Sequence, residues 1–105
     1  MEHTLLCRVT FYRGKRNAPP DLKGGQYCPH VMRKNDTSYV GVRFTEGETV
    51  AFDRRIPCRL TPLYENFDAA AFVGGTAFYI MEGPKRVGEG VVDKLCSTVY
   101  QCPGK

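Results

Sequence analysis

Short stretches of alternating apolar and polar residues, separated by glycine and proline, run through most of the chain. In Leu5–Tyr12, the residues Leu5, Cys7, Val9 and Phe11 form an apolar side against a mixed one, as in a strand with one buried face. Further strands are predicted over 26–34, 39–44, 56–61, 76–83 and 86–95, with a shorter one over 48–52 and one more in the tail. The pattern favours an all-β fold, a closed six-stranded antiparallel barrel. We expect one domain over 1–105, with its core at about 5–95 and a tail at 96–105.

Proline and glycine refine this prediction. Pro29 has no backbone N–H, so its segment must be an edge strand, a strand start or a bulge. Gly41, Gly88 and Gly90 lie within strand patterns, where glycine often marks a bend or bulge at a barrel corner. The segment 62–75 is either a long connection or the site of a helical turn. The core is expected to include Phe44, Phe78, Ile80, Val91 and Val92.

Composition narrows the class of protein without naming a function. The chain of 105 residues is 42% hydrophobic and 25% charged, ordinary values for a globular domain. Its longest apolar run, Ala69–Val73, is far shorter than the roughly 20 residues that span a bilayer. No N-terminal segment resembles a secretory signal, and a cytoplasmic location is expected.

The net charge of +4 is distributed unevenly. Residues 1–59 hold eleven basic and six acidic side chains, whereas residues 60–105 hold four and five. A face built mainly from the first half is therefore expected to carry a positive potential, unless the charges are only loosely grouped on a solvated surface.

No motif indicates catalysis. The five cysteines are odd in number and spread singly, a poor disulfide framework, and we expect most of them to be small buried hydrophobes. Cys28 and His30 are two residues apart, so a thiol or metal enzyme built around them is a third hypothesis, with no second ligand pair to complete a zinc site. A phosphate-binding loop is absent from the sequence. We predict no enzyme activity, no cofactor and no GTP binding by this chain.

The closing segment TAFYIMEGPKRVGEGVVDKL (Thr76–Leu95) resembles the last hairpin of the third, C-terminal domain of elongation factor Tu. GGQYCPHVMRKNDTSYVGVRF (Gly24–Phe44) is similar to that domain's Gly-Tyr-x-Pro strand and the strand after it. LLCRVTFY resembles its opening strand, and ETVAFDRRIPCRLTPL (Glu48–Leu63) resembles the strand that carries a proline before the final hairpin. The resemblance covers about residues 5–95 in the same order, while the turn after Arg33 is about two residues longer and the 62–75 connection differs.

The resemblance implies a six-stranded antiparallel barrel. In that family the domain packs on a second barrel and on a GTPase domain, and it grips the T-stem of aminoacyl-tRNA. This chain has neither of those domains, so the resemblance implies a stand-alone, non-catalytic binding module. Its expected ligand is structured RNA, tRNA-like in shape; the alternative is a protein partner with no nucleic-acid role. The residues expected to contact RNA are His30, Arg33, Lys34, Lys85 and Arg86.

Overall fold

Six β-strands make up most of the structure. A computed structural model describes residues 3–14, 18–64 and 68–97. The strands are β1 (His3–Phe11), β2 (His30–Arg33), β3 (Val40–Gly47), β4 (Arg55–Pro62), β5 (Ala77–Glu82) and β6 (Lys85–Ser97). Two short 3-10 turns, Lys23–Gly25 and Ala69–Phe72, lie in the connections.

The six strands form one antiparallel sheet that closes on itself in a ring. Around the ring the order is β1, β4, β3, β2, β5 and β6, and β6 then pairs back with β1. The closing pair is long, running from His3 opposite Ser97 to Phe11 opposite Gly88. The all-β prediction with six antiparallel strands is confirmed at this level.

The inward side of the ring holds the hydrophobic core. Apolar side chains at alternate strand positions point inward, as the sequence pattern predicts. Three rings, Phe11, Tyr27 and Phe44, meet at one end of the interior with centroids 5.4–6.0 Å apart. Phe11 and Phe44 are fully buried, whereas Tyr27 is partly buried. The remaining fully buried residues are Leu5, Cys7, Val9, Leu22, Val31, Val42, Leu60, Phe78, Ile80 and Val92.

Two glycines of β6 allow β1 and β5 to approach closely. A Cβ at Gly88 would lie 2.5 Å from the carbonyl oxygen of Thr10, and one at Gly90 would lie 2.7 Å from Cγ1 of Val9. Real Cβ contacts are essentially never this short. The two glycines are therefore sites of close strand packing, and a register shift of the kind predicted adjoins Gly88.

The β5–β6 register shifts by one residue on β6. Ile80 pairs with Gly88 but Met81 pairs with Arg86, so Val87 is the extra residue of a β-bulge. Val87 and Gly88 are both buried. The bulge consequently puts Arg86 and Glu89 on the same outward side of the sheet.

Pro29 directly precedes β2, as one of the predicted alternatives required. Its carbonyl oxygen still accepts a hydrogen bond from the Val42 amide at 3.0 Å, and the carbonyl of Tyr27 accepts one from the Phe44 amide at 3.0 Å. The pairing with β3 thus continues through carbonyl groups beyond the point where proline removes a donor.

The structure corrects two local predictions, one about a strand and one about the core, and leaves the predicted tail strand untested. The predicted strand 48–52 is wrong: this segment is a loop, and its alternation arises because Val50 is buried and Phe52 packs against the core. Val91 is only half-buried, because it lies on the outward side of β6 opposite Ala77. The 62–75 connection contains the 3-10 turn, whereas Phe67 and the predicted tail strand lie outside the described residues.

Candidate nucleic-acid interface

Two of the predicted RNA contacts, Lys34 and Arg86, come together on the outer side of the ring. The guanidinium carbon of Arg86 lies 3.6 Å from the ring centroid of Tyr79, and Nζ of Lys34 lies 5.0 Å from it. An arginine stacked on an aromatic ring keeps its planar donor group ordered and facing solvent. The pair therefore presents two cations at one place.

Strand pairing adds residues to this place that the sequence did not single out. Tyr79 lies opposite Glu89 on β6, Glu89 lies opposite Thr10 on β1, and Thr10 lies opposite Arg55 on β4. Tyr12 also hydrogen-bonds to Glu89. We call the set Tyr12, Lys34, Arg55, Tyr79, Arg86 and Glu89 the basic face.

Charge on the basic face is positive, with three cations against one carboxylate. Lys34 Nζ pairs with Glu89 Oε1 at 2.8 Å. Within the described parts of the chain, no carboxylate lies at ion-pair distance from Arg55 or Arg86. These two guanidinium groups keep their hydrogen-bonding capacity for a ligand.

The two acidic groups of the basic face respond to this environment in opposite ways. The hydrogen bond from Lys34 is the largest influence that lowers the pKa of Glu89, and Tyr12 and the charge of Arg55 act in the same direction. Partial burial and the neighbouring Glu89 raise the pKa of Tyr12 to about 12. At neutral pH Glu89 is therefore ionised and Tyr12 is a neutral donor.

Further cations lie along one margin of the basic face. Arg13 follows Tyr12 in the chain and its guanidinium carbon lies 4.9 Å from the ring centroid of Phe52. Arg54 precedes Arg55, and the predicted residue Lys85 precedes Arg86 at the β5–β6 turn, where it lies opposite Glu82. The positive region thus extends beyond its three central cations.

Arg33 is occupied within its own turn. Its guanidinium pairs with Asp36 at 2.5 Å, and its central carbon lies 6.0 Å from the ring centroid of Phe72. Asp36 also accepts hydrogen bonds from the Thr37 and Ser38 amides; the Thr37 bond, followed by Arg33, lowers the pKa of Asp36. Arg33 therefore stabilises the turn after β2, and the structure does not bring it to the basic face.

His30 lies in a different surface region, among exposed aromatic side chains. Its ring centroid is 5.9 Å from that of Tyr39, and its strand partner Gly41 is covered by the ring of Tyr64. We call His30, Tyr39, Leu63 and Tyr64 the aromatic patch. The last three are large and exposed, Tyr64 by 58%.

The excess of basic residues in 1–59 predicted only part of the basic face. Lys34 and Arg55 come from residues 1–59, but Arg86 comes from the second half. Arg55 carried a weak signal, because it immediately precedes a predicted strand. Glu89 carried none, since its position depends on the bulge at Val87.

The cysteines give little support to thiol chemistry. Cys7 and Cys58 lie opposite each other in β1 and β4, are free and buried, and burial raises the pKa of both thiols. Such thiols are poor nucleophiles. Cys28 is exposed, and among the described side chains no hydrogen bond joins it to His30. The absence of enzyme activity stays a prediction.

One cysteine departs from the expectation of free thiols. Cys96 is disulfide-bonded. The expected cytoplasmic location stays a prediction. Within the described ranges there is no cluster of three potential metal ligands.

An open groove of about 820 Å³ lies apart from the aromatic patch, between β1, β4 and the end of β3. Its floor includes Leu6 and Pro57, and its rim mixes basic Lys23 with acidic Glu46 and Glu48. The mixed charge distinguishes this groove from the basic face. It offers no comparable site for a polyanion.

Comparison with known proteins supplies no family assignment. No protein-family model matches the chain, and no curated protein matches it. In the described residues, every helical segment is far too short to cross a bilayer.

Proposed function

We propose that this chain is a non-catalytic binding module that binds structured RNA through the basic face. The observation that carries the proposal is one outward surface that holds Lys34 and Arg86 at the ring of Tyr79 and Arg55 on the far side of Glu89. Neither arginine has a carboxylate at ion-pair distance in the described structure. Cations at defined positions on a rigid sheet suit recognition of RNA by shape and phosphate contacts. The sequence resemblance to the third domain of elongation factor Tu supports the same ligand class, and binding requires no GTP.

The number of central cations sets the expected salt dependence. If each of the three contacts one phosphate, the logarithm of the association constant falls with the logarithm of salt concentration with a slope of about −2 to −3. The measurement is fluorescence anisotropy of a labelled, tRNA-like RNA hairpin, titrated from about 50 mM salt upward. No binding at about 50 mM salt would overturn the proposal.

Single substitutions locate the interface. Arg86→Ala is expected to reduce affinity about tenfold and to reduce the magnitude of the salt slope by about 1. Lys94→Ala is the matched control, because it removes the same charge from an exposed residue of β6 paired with Leu6, near the opposite end of the strand. Equal losses in the two variants would place RNA elsewhere on the surface.

A second candidate is a protein-binding module that uses the aromatic patch. Large exposed rings grouped on one surface are typical of protein interfaces. Tyr64→Ser would then abolish retention of a protein from nuclease-treated lysate, whereas Arg86→Ala would not. Retention that depends on intact RNA, or that survives Tyr64→Ser, would contradict this candidate.

A further inference from the structure

Glu89 occupies the middle of the basic face. On one side of it lie Tyr79 of β5 and, beyond that, Lys34 after β2; on the other lie Thr10 of β1 and Arg55 of β4. Neighbouring strands are about 4.8 Å apart, so the main-chain positions of Arg55 and Glu89 are roughly 10 Å apart. A nucleic-acid strand that contacts cations on both sides must therefore pass over a carboxylate.

The Glu89 carboxylate keeps the capacity to accept hydrogen bonds. Lys34 and Tyr12 each donate one to it, and an ionised carboxylate has about four acceptor positions. Its side chain is 38% exposed, so the remaining positions are accessible from solvent. The charge that remains at this point repels a phosphate but suits a hydroxyl donor.

We infer that Glu89 is the residue by which the basic face recognises ribose, accepting a hydrogen bond from a 2′-hydroxyl while the flanking cations contact phosphates. This inference rests on the proposed function and deepens it, since it names the sugar as the feature selected. The 2′-hydroxyl is both a donor and an acceptor, and it lines the wide, shallow minor groove of an A-form helix. DNA offers no such donor at this position.

The test compares two hairpins of identical sequence, one of RNA and one with every ribose 2′-O-methylated. Methylation removes the hydroxyl proton but leaves an RNA-like strand, so the comparison isolates the donor from helix shape better than DNA would. The wild-type chain is expected to bind the RNA hairpin about tenfold more tightly, the loss associated with one hydrogen bond to a charged group. Dissociation constants are measured by anisotropy at one fixed salt concentration.

Two substitutions separate hydrogen bonding from charge. Glu89→Met removes the charge and the carboxylate acceptor, and is expected to bring the affinity ratio of the two hairpins close to one. Glu89→Gln removes the charge but keeps a carbonyl acceptor, so it should retain part of the preference while binding both hairpins more tightly. Glu48→Gln, a change of the same charge at the groove away from the basic face, should leave the ratio unchanged.

The outcomes are distinct. Failure of the wild-type chain to bind either hairpin would overturn the proposed function and this inference together. Equal binding of both hairpins by the wild-type chain, or an unchanged ratio in Glu89→Met with its thermal unfolding intact, would overturn the inference alone. In that case RNA binding by the basic face would stand without sugar recognition.

Discussion

Replacing Gly90 with alanine tests the close packing that aligns β6 with its two neighbours and thereby holds Glu89 on the basic face. No positive φ is found at Gly90, so alanine is compatible with its backbone conformation. The cost arises from contacts instead. The added Cβ would lie 2.7 Å from Val9 Cγ1, 2.8 Å from Phe78 Cζ and 2.9 Å from the carbonyl oxygen of Arg8.

The surroundings of Gly90 offer little room for adjustment. Val9 and Phe78 are 0% and 1% exposed, and the third contact is a main-chain atom of the closing β1–β6 pair. Overpacking a core typically costs about 1–3 kcal/mol, and three short contacts place this substitution near the upper limit. Subtracting about 0.5–1 kcal/mol for the reduced entropy of the unfolded chain leaves a loss of about 2 kcal/mol in the free energy of unfolding.

The assay is urea and thermal unfolding followed by far-ultraviolet circular dichroism. For a domain of this size a loss of about 2 kcal/mol lowers Tm by about 8–16 °C. Gly14→Ala is the control, because a Cβ there meets no atom within 4 Å although φ is +50°; only the left-handed backbone costs energy, about 1 kcal/mol. If Gly90→Ala were as stable as wild type, or lost no more than Gly14→Ala, the close packing of β6 would be refuted.

Three further predictions concern stability. Burial raises the pKa of Cys58 from 9.0 to about 12. The stability due to its neutral thiol is therefore complete below pH 9 and is lost as pH rises through 12, at about 1.4 kcal/mol per pH unit. Cys58→Ala should make the pH dependence of urea unfolding shallower, and an equal effect of Cys28→Ala would contradict the argument. Phe44 is fully buried between two rings, so Phe44→Ala should lower the free energy of unfolding by about 3–5 kcal/mol. Urea titration measures this loss, and a value below about 1 kcal/mol would show that the site is loosely packed. The pKa of Asp36 is lowered chiefly by its hydrogen bond from the Thr37 amide and next by Arg33. The stability that the ionised carboxylate contributes is therefore present above its ordinary pKa and is lost as pH falls through the lowered value. Asp36→Ala should lower Tm more at pH 7 than in acid below that value, and a pH-independent loss of Tm would be evidence against stabilisation of the carboxylate by these hydrogen bonds.

The sequence by itself determined the local elements. Alternation of apolar and polar residues depends only on the two-residue repeat of a strand, so the side of β1 that carries Val9 and Phe11 could be assigned without knowing what it packs against. Pro29 limited its segment to an edge strand, a strand start or a bulge, because proline lacks a backbone donor. The turn at Pro84 was likewise predicted from adjacent residues.

The tertiary structure decided which strands are neighbours, and therefore which side chains meet. Tyr12 directly after β1, Arg55 of β4 and Glu89 of β6 share one surface only because β1 pairs with both β4 and β6. The bulge at Val87 reverses the inward–outward alternation of β6, which periodicity alone cannot reveal. The loop 48–52 resembled a strand because core packing selects apolar residues whether or not a ladder of hydrogen bonds exists. Local patterns report burial, but pairing between distant segments depends on the free energy of closing the whole ring.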